Sequence, residues 1–422
     1  MSAAGQRARA PLEGYRIVDL SSVLMGPYCT RMLADLGADV IKLEDVAGGD
    51  TSRGLGVGRR PDISGTFIQL NRGKKSLGVD LKTPRGREIC LRLASTADVF
   101  VHSIRPKALE RLKLEYADLA AANPSVVYCN LLGFGKGGRY YGRPAYDDTV
   151  QALCGLAMLQ SEYAGQPGYV SSAVADKITG LHAAMAIVSA LLQRERDGQG
   201  QEIEVAMFET MAAFLLMEHQ SSAVFDPPQG PPRYARLLSR DRRPFLTRDG
   251  SIAAMVYNDK HWQRFCAIVQ QPGLAEDPRF RTFLARSQNA AAYYQLLSQL
   301  FRERPTIEWE SLLDAAEIPY ARLNTLDDLF HDPHLDEVDF FMPLQSPGDG
   351  ELRVPRPALR LRGTSSGAAA ARTPTLGQDT RQLLEQAGYS AREIDSLAAD
   401  HVVLDAGSQP LKPELPEGNQ HA

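Results

Sequence analysis

Residues 14–44 read strand, helix, strand in one short stretch, and this pattern restricts the fold more than any other feature of the chain. Residues 14–20 (GYRIVDL) are a β-rich run that closes on Ser21 and Ser22. After Gly26 and Pro27, a helical segment spans 28–36 and stops at Gly37; residues 38–44 (ADVIKLE) are a second strand. A βαβ unit of this kind implies a parallel sheet and a right-handed crossover. Its ligands bind beyond the carboxyl ends of the strands, where Glu44 and the loop 47–53 (AGGDTSR) lie. A helix at 84–96 and strands at 98–103 and 126–132 continue the alternation. The fold class expected is α/β, with a parallel sheet.

Residues 171–211 supply the candidate chemistry. Asp176 stands just before an apolar run in which Ile178, Leu181, Met185, Val188 and Leu192 recur at helical spacing, a stripe expected to be buried. Arg194, Arg196 and Gly198 form a plain helix stop. An acid at a helix mouth has two readings. It is a structural N-cap, or it is a reactive carboxylate where free N–H groups favour negative charge. Tyr146, Asp147 and Asp148 precede a second apolar helix, so a second acid repeats the arrangement.

A net charge of −4 argues against a nucleic-acid binder. No uninterrupted apolar run approaches the length of a membrane span, and the first residues lack the apolar core of a secretory signal. The five cysteines are scattered, which fits reduced thiols and a cytoplasmic protein and gives no metal site. Arg72, Lys74 and Lys75 around Gly73 form either a solvated turn or a phosphate-binding patch. Residues 133–138 contain a literal G-x-G-x-x-G after a strand, but loop residues follow where a dinucleotide site needs a helix. A flexible anion-facing loop is expected there instead.

The proline-rich run 225–232 (FDPPQGPP) marks a boundary. The division expected is a large domain over 11–224, a small α+β domain over 225–335, and a further segment over 336–400. From about 406 to 422 a disordered tail is expected.

The runs GYRIVDLSSVLMGPYCTRMLADLGADVIKLE, NRGKKSLGVDLKTPRGRE, IRPKALERLKL, NPSVVYCNLLGFG, AYDDTVQALCGL and VADKITGLHAAMAIVSALLQRERDGQGQEIEVAMFETM stand in the order of one family. On them, the chain resembles the class III CoA-transferases from about residue 11 to 397. Formyl-CoA:oxalate and carnitine CoA-transferases belong to this family, and α-methylacyl-CoA racemases share its fold. The resemblance implies a Rossmann-like large domain that binds CoA and carries the catalysis, with 336–400 returning to it, and a homodimer whose chains interlock, with an active site between the domains. It puts the catalytic aspartate on Asp176, the supporting acid on Asp147, and a CoA-contacting arginine on Arg111; Arg105 lies in the same motif. Coenzyme A thioesters are then substrates, with no permanently bound cofactor.

Some positions depart from the family pattern. Tyr146 stands where racemases carry a histidine, and tyrosine is a poor proton-transfer base near neutral pH. Asp45 stands where formyl-CoA transferase has an arginine, and no tetraglycine loop is found between 225 and 250. The activity expected is CoA transfer from an acyl-CoA donor, succinyl-CoA or similar, to a free acid through an aspartyl-CoA thioester. A racemase and a non-catalytic CoA-binding protein are the alternatives. Among Arg233, Arg236, Arg240, Arg242 and Arg243, the last two are candidates to pair with the remote carboxylate of a dicarboxylic substrate, with Tyr146 a further substrate-side candidate.

Overall fold

A computed structural model describes residues 9–359, 361 and 372–406; the tail expected beyond 406 lies outside these residues. The strands in chain order are β1 (Arg16–Leu20), β2 (Asp39–Glu44), β3 (Lys75–Val79), β4 (Val99–His102), β5 (Val127–Leu132), β6 (Gln201–Ala206), β7 (Phe245–Leu246), β8 (Ser251–Ala254), β9 (Tyr320–Arg322), β10 (Phe341–Ser346), β11 (Gly350–Pro355) and β12 (Val403–Leu404). The main sheet is seven-stranded, in the order β12-β3-β2-β1-β4-β5-β6. The six strands from β1 to β6 pair in parallel, and β12 is antiparallel to β3. The order 3-2-1-4-5-6 is that of a doubly wound dinucleotide-type sheet, whose direction of growth reverses between β1 and β4.

The chain divides into two compact units. One comprises 1–151, 171–211 and 338–422; the other comprises 152–170 and 212–337. These limits differ from the expected 11–224 and 225–335 boundaries. The helix Met207–His219 is continuous where the units divide, so no proline or glycine marks the change. In the first unit, Leu383, Leu384, Ile394 and Leu397 of two C-terminal helices share one core with Ile41, Leu77 and Phe100 of the sheet. The second unit holds the antiparallel sheet β7-β8-β9 and an aromatic core around Trp262, Phe265, Phe301 and Trp309.

The helix Val174–Asp197 corrects another expectation. Its buried face is Ala175, Thr179, Gly180, Ala183, Ile187, Ala190 and Leu191, while Met185 is 63 % and Leu192 55 % exposed. The small residues win because a neighbouring helix, Met25–Asp35, comes too close for large ones. A Cβ on Gly180 would stand 2.7 Å from the Met25 carbonyl oxygen. By length and composition this helix could cross a membrane, despite the sequence reading, but its small face packs on Met25–Asp35, β5 and β6 as a core crossover helix does.

Candidate active site

The loops after β1, β4 and β5 meet at the reversal point of the sheet. There Ser22 and Val23 follow β1, Ser103 and Arg105 follow β4, and Gly133 follows β5; with Asp176 and Arg143 they line a cleft of about 310 Å³. Its position beyond the carboxyl ends of parallel strands is where such sheets bind ligands.

Asp176 is the third residue of its helix rather than the cap; Ala173 precedes the helix and offers no side-chain bond. The missing cap comes from another helix. Asp147, buried at the start of Asp147–Leu153, accepts the Asp176 N–H on Oδ2 at 2.9 Å. Its Oδ1 accepts from Gln151 Nε2 at 2.6 Å, one turn along its own helix. Asp147 therefore fixes the first turn on which Asp176 is mounted, and its charge faces Asp176. Burial first, and then this neighbouring charge, push the Asp176 carboxyl up to about 7, with Lys177 acting in the opposite sense. A carboxylate so destabilised is a better nucleophile than one at the surface.

The remaining candidates separate. Arg105 and Tyr146 share the Asp176 cleft. Arg111 lies in another cleft, of about 670 Å³, together with Lys82, Arg87 and Lys113. Its Nε donates to the Lys107 carbonyl at 3.0 Å. Arg242 and Arg243 belong to the second unit, where Arg243 Nε donates to the Arg240 carbonyl at 2.8 Å.

The side chains of Arg72, Lys74 and Lys75 are engaged by protein oxygens. Lys74 is fully buried; its Nζ lies 3.0 Å from Asp19 Oδ2 and donates to Thr30 Oγ1, Asn71 Oδ1 and the Pro27 carbonyl. Arg72 donates to the Pro355 carbonyl at 2.8 Å, and Lys75 pairs with Asp39 at 2.6 Å. An ammonium with its donors spent on protein oxygens has none left for phosphate. The glycine loop faces carboxylates of the protein itself. The Gly135 and Lys136 N–H groups donate to Glu209 and Glu204, each at 2.9 Å. Glu44, expected at the ligand end, is paired instead with Arg53 at 2.7 Å.

Two cleft residues escaped the sequence reading. Arg143 has a basic residue's signal three residues before Tyr146, but sits in an irregular loop. Val23 has a φ of 68°, and nothing in a valine announces a left-handed backbone. Among the described residues, no group of three or more His, Cys, Asp or Glu is placed to hold a metal.

The model of CoA-transferase family III matches residues 12–380. Succinyl-CoA:glutarate CoA-transferase of Mus musculus is 34 % identical over 93 % of this chain and 90 % of its own. Succinyl-CoA:mesaconate CoA-transferase of Haloarcula hispanica is 32 % identical over 89 % of this chain and 96 % of its own. The crystal structure of Rv3272 from Mycobacterium tuberculosis superposes with a TM-score of 0.77 at 30 % identity, covering 90 % of this chain and 100 % of that one. With the fold, the family match and these relatives in agreement, the chain belongs to CoA-transferase family III and is a CoA-transferase.

Proposed function

We propose that the enzyme moves CoA from succinyl-CoA to a second dicarboxylic acid, with Asp176 as the covalent nucleophile. One observation carries this reading. A half-buried carboxylate shares its cleft with two arginines, Arg105 and Arg143, that form no ion pair among the described residues. Reacting carboxylate and anion receptor are thus both provided, and relatives named for succinyl-CoA, glutarate and mesaconate take substrates of that charge pattern.

The Asp176 carboxylate attacks the thioester carbonyl, the C–S bond breaks, and CoA leaves as thiolate, giving a mixed anhydride. The thiolate attacks the aspartyl carbonyl, releasing succinate and leaving aspartyl-CoA. The acceptor carboxylate then attacks that thioester, and the returning thiolate takes the acceptor's acyl group and frees Asp176. Covalent catalysis divides one difficult exchange into steps of similar energy. Asp147 holds the nucleophile's turn, and Tyr146 is a wall of the acyl site. The basic cleft around Arg111 takes the phosphates of CoA.

The exposed stripe Leu181, Met185, Val188 and Leu192 is assigned to the interface of an interlocked homodimer; sedimentation showing only monomer at micromolar concentration removes that assignment. Four of the five cysteines are buried, which fits a reducing compartment such as the cytoplasm.

Asp176 must be ionised to attack, so kcat/KM for the donor falls as pH drops below about 7, by one logarithmic unit per pH unit. Asp147→Asn removes a charge that raises the Asp176 pKa, so the acid limb moves to lower pH while the maximal rate falls. An acid limb near the ordinary carboxylate range, or one unmoved in Asp147→Asn, contradicts this role.

Arg143→Met tests the substrate class. Losing a charged contact to the remote carboxylate costs about 1.5–3 kcal/mol, so kcat/KM for succinyl-CoA falls roughly ten- to hundredfold. Butyryl-CoA, which lacks that carboxylate but carries the same CoA, changes little. Arg111→Met weakens both donors alike. Arg105→Met, Arg242→Met and Arg243→Met in the same assay show which other arginines contribute. An equal loss for both donors in Arg143→Met makes it a CoA contact and ends the dicarboxylate assignment.

A further inference from the structure

The turn that joins β1 to the helix Met25–Asp35 is held by successive backbone groups. The Ser21 N–H donates to Asp19 Oδ1 at 3.0 Å, and the Ser21 carbonyl accepts from Lys42 Nζ at 2.8 Å. The Ser22 N–H donates to Ser103 Oγ at 3.2 Å, and the Val23 N–H to Asp50 Oδ1 at 3.1 Å. Below them, a Cβ on Gly26 would lie 2.2 Å from the Ser21 Cβ, so the turn is drawn tight against the helix.

The last of these bonds has no local reason. Asp50 already caps the short turn Thr51–Gly54 through the Ser52 N–H at 2.8 Å, yet the same oxygen reaches back to the loop of another strand. The residue it meets, Val23, has a φ of 68°, a conformation that a β-branched side chain resists. Ser22, Val23 and Met25 line the cleft that contains Asp176. Asp50 is itself pinned: its second oxygen is 2.7 Å from Lys42 Nζ, and Lys42 is completely buried. Movement of Asp50 breaks that buried pair. A backbone held so firmly in an unfavourable conformation beside a reacting group is a recurrent feature of active sites.

We propose that Asp50, paired with Lys42, is a positioning residue for the transfer reaction: it holds Val23 in the left-handed region and so fixes the wall of the cleft against which Asp176 reacts. Asp50 touches no substrate; it acts through the Val23 N–H. The inference rests on the Asp176 cleft being the site of transfer, and one arm of its test is independent of that.

In Asp50→Ala, Lys42 keeps Asp19 and Glu44 nearby, so the variant retains a counter-charge in the buried network. Amide hydrogen exchange of the peptide spanning residues 21–24 rises about tenfold or more, a readout that needs no substrate. The kcat of transfer falls about ten- to hundredfold while KM for the acyl-CoA donor stays within about threefold, because misplacing a reacting geometry costs rate before binding. Val23→Gly added to Asp50→Ala recovers about fivefold or more of kcat, since glycine takes φ above zero without a Cβ penalty. Val23→Pro, which leaves the Lys42–Asp50 pair in place, removes the N–H and holds φ near −65°, and it lowers kcat to the level of Asp50→Ala. Unchanged exchange in Asp50→Ala, wild-type kcat in Val23→Pro, or a loss that Val23→Gly does not recover overturns the proposal.

Discussion

Asp176→Ala lowers the turnover of CoA transfer by on the order of 10⁴-fold or more, while KM for the acyl-CoA donor changes little. Both parts matter. On the proposed mechanism the side chain supplies the atom that forms the covalent bond, and without it the free acid must attack the donor thioester directly. The contacts that hold the donor belong to other residues of the cleft and survive the substitution. The variant also folds no less well. The folded-state carboxyl titrates at about 7, above its ordinary value of 3.8. Its ionised form is therefore disfavoured in the folded protein, a penalty absent below the unfolded pKa and complete above 7. Removing Asp176 is thus neutral or stabilising at pH 8, as expected where a site is kept reactive at the expense of stability. A loss of less than about a hundredfold, or one explained by unfolding, contradicts the nucleophile assignment.

Lys74→Met has the largest effect on stability. Burial opposes ionisation of Asp19, but Lys74 and Lys42, with the hydroxyls of Ser21 and Thr30, outweigh it and hold the carboxyl well below its usual range. Taking away one partner of a fully buried pair leaves an uncompensated charge, at about 3–5 kcal/mol. Denaturant unfolding reads this as a lower midpoint with an unchanged slope. Lys75→Met removes a partly exposed pair with Asp39 and costs about 0–1 kcal/mol. Were this cluster a phosphate site, the order would reverse: Lys74→Met would unfold like the wild type and raise KM for every CoA thioester.

These two residues also show what the sequence discloses. The parallel α/β sheet was legible because β1 and β2, with the helix between them, each carry an unbroken local signal. Asp176 was legible as an acid at the mouth of an apolar helix. Its mounting was not, because the cap is Asp147, 29 residues earlier and on another helix. The basic run of Arg72, Lys74 and Lys75 has the composition of a phosphate patch, and only the fold shows its acids arriving from Asp19, Asp35 and Asp39. A clue was present in β2. Lys42 and Glu44 stand in a strand of a parallel sheet, whose strands are buried on both faces, and buried charges require partners. Asp50 and Arg53, in the loop just beyond, are those partners. The apolar stripe of the helix Val174–Asp197 misled for the opposite reason. Periodicity finds a face but not what it meets, and the close approach of Met25 gave the interior to Gly180 and the alanines.

The covalent step is open to one direct measurement. The enzyme is mixed with succinyl-CoA and no acceptor acid, quenched, treated with borohydride, and digested for mass spectrometry. Borohydride reduces an aspartyl thioester to homoserine, so the account predicts that conversion at Asp176, dependent on donor, with Asp147 unmodified. Without borohydride, the same peptide carries the mass of CoA less one water. An unmodified Asp176 in an enzyme that is transferring CoA at its full rate would show that the reaction does not pass through this residue.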